Sequence, residues 1–537
     1  MMAEMSGAQY MAELMTAYGV KAFFFMPSIL RRMLALMEDY PIKQVVTHGE
    51  KAAAYMADGY ARASGRPGVC GAQTVGAANL AAGLRDAYMA HSPVISLIGG
   101  RFGHSKHKLP YQEVDDYPMF VPVTKANFQV DEAGRIPDLM RQAFREATTG
   151  TPGPVNLQFM GNHAEIERNV IDHEVIVEER HTQVPAYRPR PDMVEVERVA
   201  QRLREAERPV IVAGGGVRTS GAGQELLELA DTFYIPIANS TGGLSLVPEN
   251  HPLYFGVPGT YSRSCSNDVM LQTDLVLFVG SETGGLLTHF WQIPPLGTEI
   301  IQIGIEPRDL GRNYPNSVSV MGDAKLTLQA LLDSAGSGER RESWVSSVQK
   351  IVANWRAEME PLRSSDALPM RPERVMKELG DCLPEDVLLV CDTAHSTVWA
   401  SQHLWMKGTK WDFIRCAGSL GWAFPASLGA KCALPDRPVV CFTGDGGFWY
   451  HLQEVETAVR CGINSVTVVN NNNSQGGAKL TEVNLSRMAE EMGALGIRVE
   501  EPGALASALE QALSSGRPAV LEMMTDINVR APRVSLG

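Results

Sequence analysis

The fold of this chain is decided by two short segments, residues 439–447, VVCFTGDGG, and residues 465–473, SVTVVNNNN. Each opens with apolar, β-branched residues and ends in small or polar ones, a pattern typical of a buried parallel strand followed by a loop. Residues 448–461 have helical apolar spacing, and Gly462 is a stop signal. We therefore predict one βαβ unit whose two polar loops lie at the same edge of the sheet, where α/β proteins bind ligands.

A carboxylate follows the first of these strands and a carboxamide follows the second. Asp445 and Asn472 are 27 positions apart (472 − 445) and have little side-chain bulk around them. Oxygen ligands of this kind suit a hard cation that also holds phosphate oxygens. A Gly-Asp-Gly triplet alone is more often a turn, and an Asn run is more often a loop. The pairing of the two after buried strands favours a metal and phosphate site.

This pairing resembles the thiamine diphosphate motif, in which Gly-Asp-Gly is followed after about two dozen residues by Asn-Asn. The resemblance implies that Asp445, Asn472 and the backbone carbonyl of Ser474 bind Mg²⁺, which in turn binds the cofactor diphosphate. It also implies cofactor contacts at Gly446 and Gly447. The expected cofactors are therefore thiamine diphosphate and Mg²⁺.

Length and composition indicate a multidomain globular protein. The 537 residues are too many for one ordinary core, so three domains are expected. The net charge is 48 − 61 = −13 without a dense Lys/Arg block, which argues against nucleic acid or an anionic membrane as the main partner. The eight cysteines form no Cys-x-x-Cys pair and are typical of reduced thiols. No secretion signal or membrane-spanning apolar run is evident, so we expect a cytoplasmic protein.

Residues 1–165 alternate between helical and strand-like segments, which favours a parallel, doubly wound sheet. Strands are predicted at 21–26, 44–47, 69–72, 94–100 and 155–159, and helices at 7–18, 51–64 and 76–90. Glu50 opens the helix after the second strand. A glutamate in this place often only complements the helix dipole, so its neighbours must decide its role.

The neighbours of Glu50, residues 50–63 with the sequence EKAAAYMADGYARA, resemble the pyrimidine-binding segment of the acetolactate synthase-like thiamine diphosphate enzymes. The resemblance implies that Glu50 is catalytic: it hydrogen-bonds the aminopyrimidine of the cofactor and promotes the tautomer that removes the thiazolium proton. A buried, partly protonated carboxyl group suits this task. One departure is that His48-Gly49 stands where the family often has Arg-His.

Three further segments match the same family with departures. Gly76 and Asn79 lie in GAANL, which resembles the Gly-Pro-Gly-Ala-Thr-Asn turn and implies cofactor binding, although Thr74-Val75 replaces one Gly-Pro. Gln112 lies in YQEVD, which resembles the Phe-Gln-Glu segment and implies a second catalytic residue near the thiazolium. Ile29 follows a strand where relatives usually carry Pro-Gly-Gly. It either narrows the substrate pocket or is a plain core residue.

Residues 166–192 contain several prolines and are predicted to be a crossing linker. Residues 190–335 form a second α/β unit, with strands predicted at 209–216, 275–280 and 299–305. The full Gly-x-Gly-x-x-Gly fingerprint is missing, which favours a structural domain. In acetolactate synthases the equivalent domain carries FAD, and residues 255–260, FGVPGT, resemble part of the sequence pattern of that domain. The basic flavin-contacting segment is replaced by SETGG at 281–285, so FAD is the less favoured alternative.

Residues 335–368 are polar and helical and are predicted to be a second linker before the third α/β domain. His395 and Ser396 follow that domain's first strand, predicted at 386–391, in a loop that contacts the diphosphate in relatives. His395 is equally compatible with a structural role. The segment AGSLGWAFP, residues 417–425, resembles the family's Gly-x-Met-Gly-Phe-x-x-Pro. The resemblance implies that Leu420 props the cofactor in a bent conformation and that the Gly418 carbonyl accepts a hydrogen bond from the aminopyrimidine.

The resemblance covers nearly the whole chain and predicts three doubly wound α/β domains: pyrimidine-binding (1–165), central (190–335) and diphosphate-binding (368–537). It implies a decarboxylating carboligase acting on pyruvate or a similar 2-keto acid. A carbon–carbon lyase, hydrolase or acyltransferase with another donor stays open, and a non-catalytic cofactor-binding paralogue is less favoured. In relatives the segments around Glu50 and Asp445 meet across a subunit interface, so a homodimer or homotetramer is expected.

Overall fold

The computed structural model describes residues 5–334, 340–406 and 410–532, and it contains three parallel six-stranded sheets. The predicted architecture of three α/β units is therefore confirmed. Residues 335–339 of the predicted second linker and the two ends of the chain, 1–4 and 533–537, lie outside the described residues. Within the described ranges, no helix is both long enough and apolar enough to cross a bilayer.

The four inner strands of the first sheet are wholly buried, as in the apolar AFFF of its first strand, whereas its two edge strands carry polar residues. The elements of this region are β1 Met5–Ser6, α1 Gly7–Ala17, β2 Ala22–Phe25, α2 Arg31–Leu36, β3 Lys43–Val46, α3 Glu50–Ser64, β4 Gly68–Ala72, α4 Ala77–Met89, β5 Val94–Gly99, α5 Tyr117–Phe120, β6 Ala126–Val130, α6 Ile136–Thr148, β7 Val155–Phe159 and β8 Val170–Ile171. The sheet order is β3-β2-β4-β5-β7-β6. β8, inside the predicted linker 166–192, pairs antiparallel with β1, so that part of the linker is anchored to the first domain.

In the second sheet, the strand that comes first in the sequence lies near the centre. Its elements are α7 Met193–Glu205, β9 Pro209–Ala213, α8 Gly215–Ser220, α9 Gly223–Phe233, β10 Ile237–Asn239, β11 Tyr254–Gly256, α10 Ser264–Met270, β12 Leu275–Val279, β13 Glu299–Gly304, β14 Val318–Met321, α11 Ala324–Asp333 and α12 Glu342–Arg363. The order is β11-β10-β9-β12-β13-β14. The linker helix α12 packs on this domain, because Trp344 and Trp355 share an apolar cluster with Phe278. The helix predicted in this linker is therefore present, but it packs on the central domain and does not cross freely between domains.

The third sheet repeats the relative strand order of the first. Its elements are α13 Pro372–Cys382, β15 Leu388–Cys391, α14 His395–His403, β16 Asp412–Arg415, α15 Ala423–Ala433, β17 Val439–Gly444, α16 Asp445–Trp449, α17 Glu454–Arg460, β18 Val466–Asn471, β19 Ser474–Gln475, β20 Ala478–Lys479, α18 Leu485–Glu491, β21 Leu495–Val499, α19 Leu505–Ser514 and β22 Ala519–Met524. The sheet order is β16-β15-β17-β18-β22-β21.

The predicted βαβ unit is present, with one correction. β17 and β18 pair in parallel, and Gly444 lies opposite Asn470. The single helix predicted at 448–461 is wrong: α16 ends at Trp449 and α17 begins at Glu454. His451 and Leu452, in the turn between the two helices, are both buried. Burial of two successive side chains in this turn interrupts the helical periodicity.

Helices α3 and α15 join the first and third domains through a very close crossing. A Cβ atom on Gly59 of α3 would lie 2.0 Å from the carbonyl oxygen of Ala426. A Cβ atom on Gly429 of α15 would lie 1.8 Å from the carbonyl oxygen of Met56. Only glycine fits at these two positions, so the backbones touch and the two domains share one apolar cluster.

Candidate active site

Glu50 is held at the carboxyl edge of the first sheet by two of the predicted cofactor-binding residues. It begins α3 after the extended residue Gly49. Asn79 Nδ2 donates to Glu50 Oε2 at 3.3 Å. A Cβ atom on Gly76 would lie only 2.3 Å from Glu50 Oε1, so glycine leaves the space that the carboxylate fills. The structure therefore brings Glu50, Gly76 and Asn79 together.

The burial of Glu50 differs from the expectation. Glu50 is only partly buried in the single chain, whereas a buried carboxyl group suits the predicted role. Asn79 is exposed beside it, and Gly76 is buried. This edge of the sheet is therefore open on the side where Asn79 lies.

Gln112 lies at the same edge and is fixed by a residue that the sequence did not indicate. Its backbone adopts a left-handed conformation with φ of 59°. Asn162 Nδ2 donates to Gln112 Oε1 at 2.9 Å. The carbonyl of Asn162 accepts from the Thr74 hydroxyl at 3.1 Å. Asn162 thus links the Gln112 loop to the turn that leads into Gly76; its place just after β7 was the available signal.

Ile29 is a core residue. Its side chain is fully buried and belongs to the apolar cluster on the side of the first sheet that packs against α1 and α6. The alternative in which Ile29 narrows a substrate pocket is therefore wrong for this structure.

Asp445, Asn472 and Ser474, the residues predicted to bind a metal, lie close together at the carboxyl edge of the third sheet, although Ser474 contacts the other two through its N–H and not through the carbonyl that was predicted as the ligand. The Ser474 N–H donates to Asp445 Oδ2 at 3.0 Å and to Asn472 Oδ1 at 3.1 Å. A carboxylate oxygen at the start of α16 and an amide oxygen of the loop after β18 therefore lie close together, and hard oxygen atoms of this kind suit Mg²⁺. Burial raises the pKa of Asp445 to about 6, although backbone N–H groups oppose the rise. Removing this carboxylate from water raises its free energy, and a bound cation would compensate for that loss.

Asp392 organises the loops around the predicted diphosphate site. It accepts from the Gly421 N–H at 3.0 Å and from the Thr443 hydroxyl at 2.9 Å. A Cβ atom on Gly447 would lie 2.5 Å from Asp392 Oδ2, and one on Gly446 would lie 3.0 Å from the Gln475 side chain. The two predicted glycines therefore allow close packing at this edge. Burial raises the pKa of Asp392 to about 7.

The remaining predicted residues lie near the same edge: His395 and Ser396, predicted in a loop, are the first residues of α14, and Gly418 and Leu420 lie in the loop after β16. Ser396 is buried and would lie 3.8 Å from a Cβ atom on Gly444, whereas His395 is exposed. Ala394, which precedes them, has φ of 55°, a conformation that stores strain in a non-glycine residue. Gly418 is exposed and Leu420 is partly exposed, so both are accessible to a ligand.

Two half-sites result, one in each terminal domain. Among the described residues, no hydrogen bond or ion pair joins Glu50, Gly76 or Asn79 to Asp445, Asn472 or Ser474. The first half-site carries a carboxylate beside an amide, and the second carries a carboxylate and an amide oxygen, which are atoms that suit a hard cation. The two could serve one ligand that has both a heterocycle and a diphosphate.

Comparison with known proteins decides the family. Three family profiles match the chain: thiamine pyrophosphate enzyme N-terminal TPP binding domain at residues 5–119, central domain at 196–331 and C-terminal TPP binding domain at 392–523. The chain belongs to the thiamine pyrophosphate enzyme family. Its matched domains follow the order predicted from the sequence.

The similar proteins narrow the type of enzyme. A probable acetolactate synthase large subunit of Methanocaldococcus jannaschii is 31% identical over 99% of this chain and 94% of its own length. Glyoxylate carboligase of Escherichia coli O157:H7 is 28% identical over 100% and 95%. The acetolactate synthase large subunit of Haemophilus influenzae is 27% identical over 98% and 95%. The chain is thus a thiamine pyrophosphate-dependent enzyme of the acetolactate synthase-like carboligase type.

Proposed function

We propose that this enzyme is a decarboxylating carboligase that uses pyruvate or a similar 2-keto acid as its donor. The observation that carries the proposal is the Glu50 carboxylate, held against Gly76 and bonded to Asn79 at a sheet edge. The names of the similar proteins, acetolactate synthase and glyoxylate carboligase, support the reaction class. Their different names leave the donor to be determined by assay.

Thiamine diphosphate, when bound, supplies a carbanion that adds to the donor carbonyl and accepts the electrons released with carbon dioxide. The chain's own residues bind and orient it. Glu50 would hydrogen-bond the aminopyrimidine and hold the proton that this ring exchanges, and Asn79 keeps the Glu50 carboxylate in place. Gln112, fixed by Asn162, would contact the thiazolium side. His395, Ser396, Gly418 and Leu420 are proposed to contact the cofactor along the edge of the third sheet.

Mg²⁺ is proposed at Asp445, Asn472 and the carbonyl of Ser474, supported by the convergence of Asp445 Oδ2 and Asn472 Oδ1 on one N–H group. FAD is left out of the proposal, because the segment 281–285 has no basic side chain. The absorption spectrum of the purified protein tests this omission: flavin bands that persist after dialysis would contradict it.

A homodimer is proposed as the smallest active unit, with a tetramer as an alternative assembly. Support comes from the partial burial of Glu50 and from the absence of bonds between the two half-sites in the described part of the chain. A second copy that brings its Asp445 half-site to Glu50 would close the open edge. We also propose the domain limits 1–165, 190–335 and 368–537, and a cytoplasmic location supported by eight cysteines that form no disulfide.

The test is to incubate the purified protein with thiamine diphosphate, Mg²⁺ and pyruvate, or with glyoxylate in a parallel series. Carbon dioxide and the condensed product are measured together. We expect one carbon dioxide and one condensed product for every two keto acid molecules consumed. Glu50→Gln should lower the rate by about a hundredfold or more. Glu38→Gln is the matched control, because Glu38 is an exposed glutamate of the same domain.

The outcomes separate the alternatives. Cofactor binding with turnover of glyoxylate alone would assign glyoxylate as donor. Binding without decarboxylation of either acid would favour a lyase or acyltransferase with another donor. Binding with no chemistry in a wide donor screen would favour a non-catalytic paralogue. Full activity of Glu50→Gln would refute the assigned role of Glu50.

A further inference from the structure

Asp86, near the end of α4, holds the loop that carries Gly418. Its side chain is fully buried. Asp86 Oδ1 accepts from the Ala417 N–H at 2.9 Å. Asp86 Oδ2 accepts from the Gly418 N–H at 3.0 Å and from the Ser419 N–H at 2.9 Å. One carboxylate of the first domain therefore binds three consecutive backbone N–H groups of the third.

The charge of Asp86 is maintained by Arg62, whose side chain is partly buried. Arg62 Nη2 donates to Asp86 Oδ1 at 2.9 Å, and Arg62 also forms a two-pronged pair with Asp58 at 2.8 Å. Burial opposes ionisation of Asp86, but Arg62 and the three backbone N–H groups outweigh it and lower its pKa. Hydrogen bonds to a charged acceptor in a buried site are stronger than those to a neutral one. The loop is therefore held by an anion.

Helix α4 connects this contact with Glu50. Asn79, in its first turn, bonds Glu50, and Asp86 follows seven residues later (86 − 79), about 10 Å along the helix. One rigid element thus fixes both the carboxylate of the first half-site and the loop of the second.

We propose that Asp86 is a positioning residue for the reaction: it fixes residues 417–419 in the conformation in which Gly418 and Leu420 receive the cofactor. This inference rests on the proposed function, because it assigns a ligand to that loop. The alternative is that Asp86 only joins two domains. The neighbouring Asp58 allows the two roles to be separated. Asp58 belongs to the same network, because it accepts hydrogen bonds from Arg62 and from the Trp422 Nε1–H (2.8 Å). The N–H groups of residues 417–419, however, donate to Asp86.

The substitution Asp86→Asn tests the proposal with little change in volume. An amide has one accepting and one donating end. Its Nδ2 would face either Arg62 and the Ala417 N–H, or the Gly418 and Ser419 N–H groups. Some donors must then lose their acceptor. Asp58→Asn is the matched control, because it also removes a carboxylate beside Arg62 and leaves the three loop bonds intact.

The first readout is amide hydrogen exchange of a peptide covering residues 416–421 in the cofactor-free protein. We expect about tenfold faster exchange in Asp86→Asn, from the loss of charge-assisted bonds, and a much smaller change in Asp58→Asn. The second readout is the dissociation constant for thiamine diphosphate at saturating Mg²⁺, expected to rise about tenfold only in Asp86→Asn. Thermal melting of both variants measures the purely structural effect.

Equal changes in exchange and cofactor affinity for the two variants would overturn the proposal. So would an unchanged affinity in Asp86→Asn with faster exchange. If Asp86→Asn does not fold, Asp86→Glu replaces it, because that variant keeps the charge and displaces both carboxylate oxygens by the length of one added methylene group. The proposal then requires that Asp86→Glu lose more cofactor affinity than Asp58→Asn when the two variants have equal melting temperatures. Failure of wild-type protein to bind thiamine diphosphate would instead refute the proposed function, whatever the exchange data show.

Discussion

Replacing Gly76 with alanine should impair the proposed role of Glu50 by displacing its carboxylate, while the chemical identity of Glu50 stays the same. The added Cβ would lie 2.3 Å from Glu50 Oε1 and 2.8 Å from Cδ and Cγ, whereas ordinary contact begins at 3.4 Å. The carboxylate or the turn before α4 must therefore move by about 1 Å. A displacement of that size in a group that acts in the reaction can reduce turnover by up to about a hundredfold.

The assay is product formation from the preferred donor at saturating thiamine diphosphate and Mg²⁺. Gly134→Ala is the matched control, since its added Cβ meets nothing within 4 Å. Gly76→Ala should lower kcat by about tenfold to a hundredfold, with a smaller change in cofactor affinity. If the loss is transmitted through Glu50, the same substitution should have little further effect in a Glu50→Gln background.

Two results would refute this reasoning. One is a Gly76→Ala enzyme with kcat within about twofold of wild type, since a displaced Glu50 could not support that rate. The other is an equal loss in the presence and absence of Glu50, since Gly76 would then act on another group.

Three further predictions follow from single contacts. Asp445→Ala should weaken thiamine diphosphate binding. A chelator should weaken binding by the same amount in wild type, and excess Mg²⁺ should restore the affinity. Cofactor binding that is unaffected by the chelator would contradict the metal site. The pKa of Asp392 is raised to about 7 in the folded protein, so the folded state retains its proton above the unfolded pKa and stability falls as pH rises from about 4 to 7. The melting temperature of wild type should therefore fall more than that of Asp392→Asn between pH 5 and pH 8, and parallel curves would contradict this. Gly429→Ala should destabilise the α3–α15 crossing by about 1–3 kcal/mol or more, while Gly223→Ala, in open space on α9, should not; equal melting temperatures would show that the crossing relaxes freely.

The sequence was informative where chemistry and periodicity fall on consecutive residues. The β-branched runs before Asp445 and Asn472 predicted buried parallel strands, and the structure pairs them. The helix after Glu50 was predicted from its apolar face, and α3 spans Glu50–Ser64. Both signals are local, so they require no knowledge of distant contacts.

Other features depend on contacts between distant residues, which local patterns do not encode. Asp86 reaches Gly418 across 332 positions of sequence, and nothing around it in α4 distinguishes it from a solvated helical aspartate. Asn162 and Gln112 meet across 50 positions. The break between α16 and α17 was missed because the apolar spacing continues through Leu452. In the structure Leu452 is buried by tertiary packing from a turn, and not from a helix. Ile29 was ambiguous for the same reason, since its burial depends on α1 and α6.

We propose that Glu50 and Asp445 serve one reaction, although they occupy separate half-sites of a single chain. Co-expression of two differently tagged variants, Glu50→Gln and Asp445→Ala, tests it most directly. If the active site combines Glu50 of one copy with Asp445 of another, the mixed dimers contain one intact site each. Random pairing should then recover about a quarter of wild-type activity, although each variant alone is inactive. Tandem-purified mixed dimers without activity would contradict an active site that combines Glu50 of one copy with Asp445 of another.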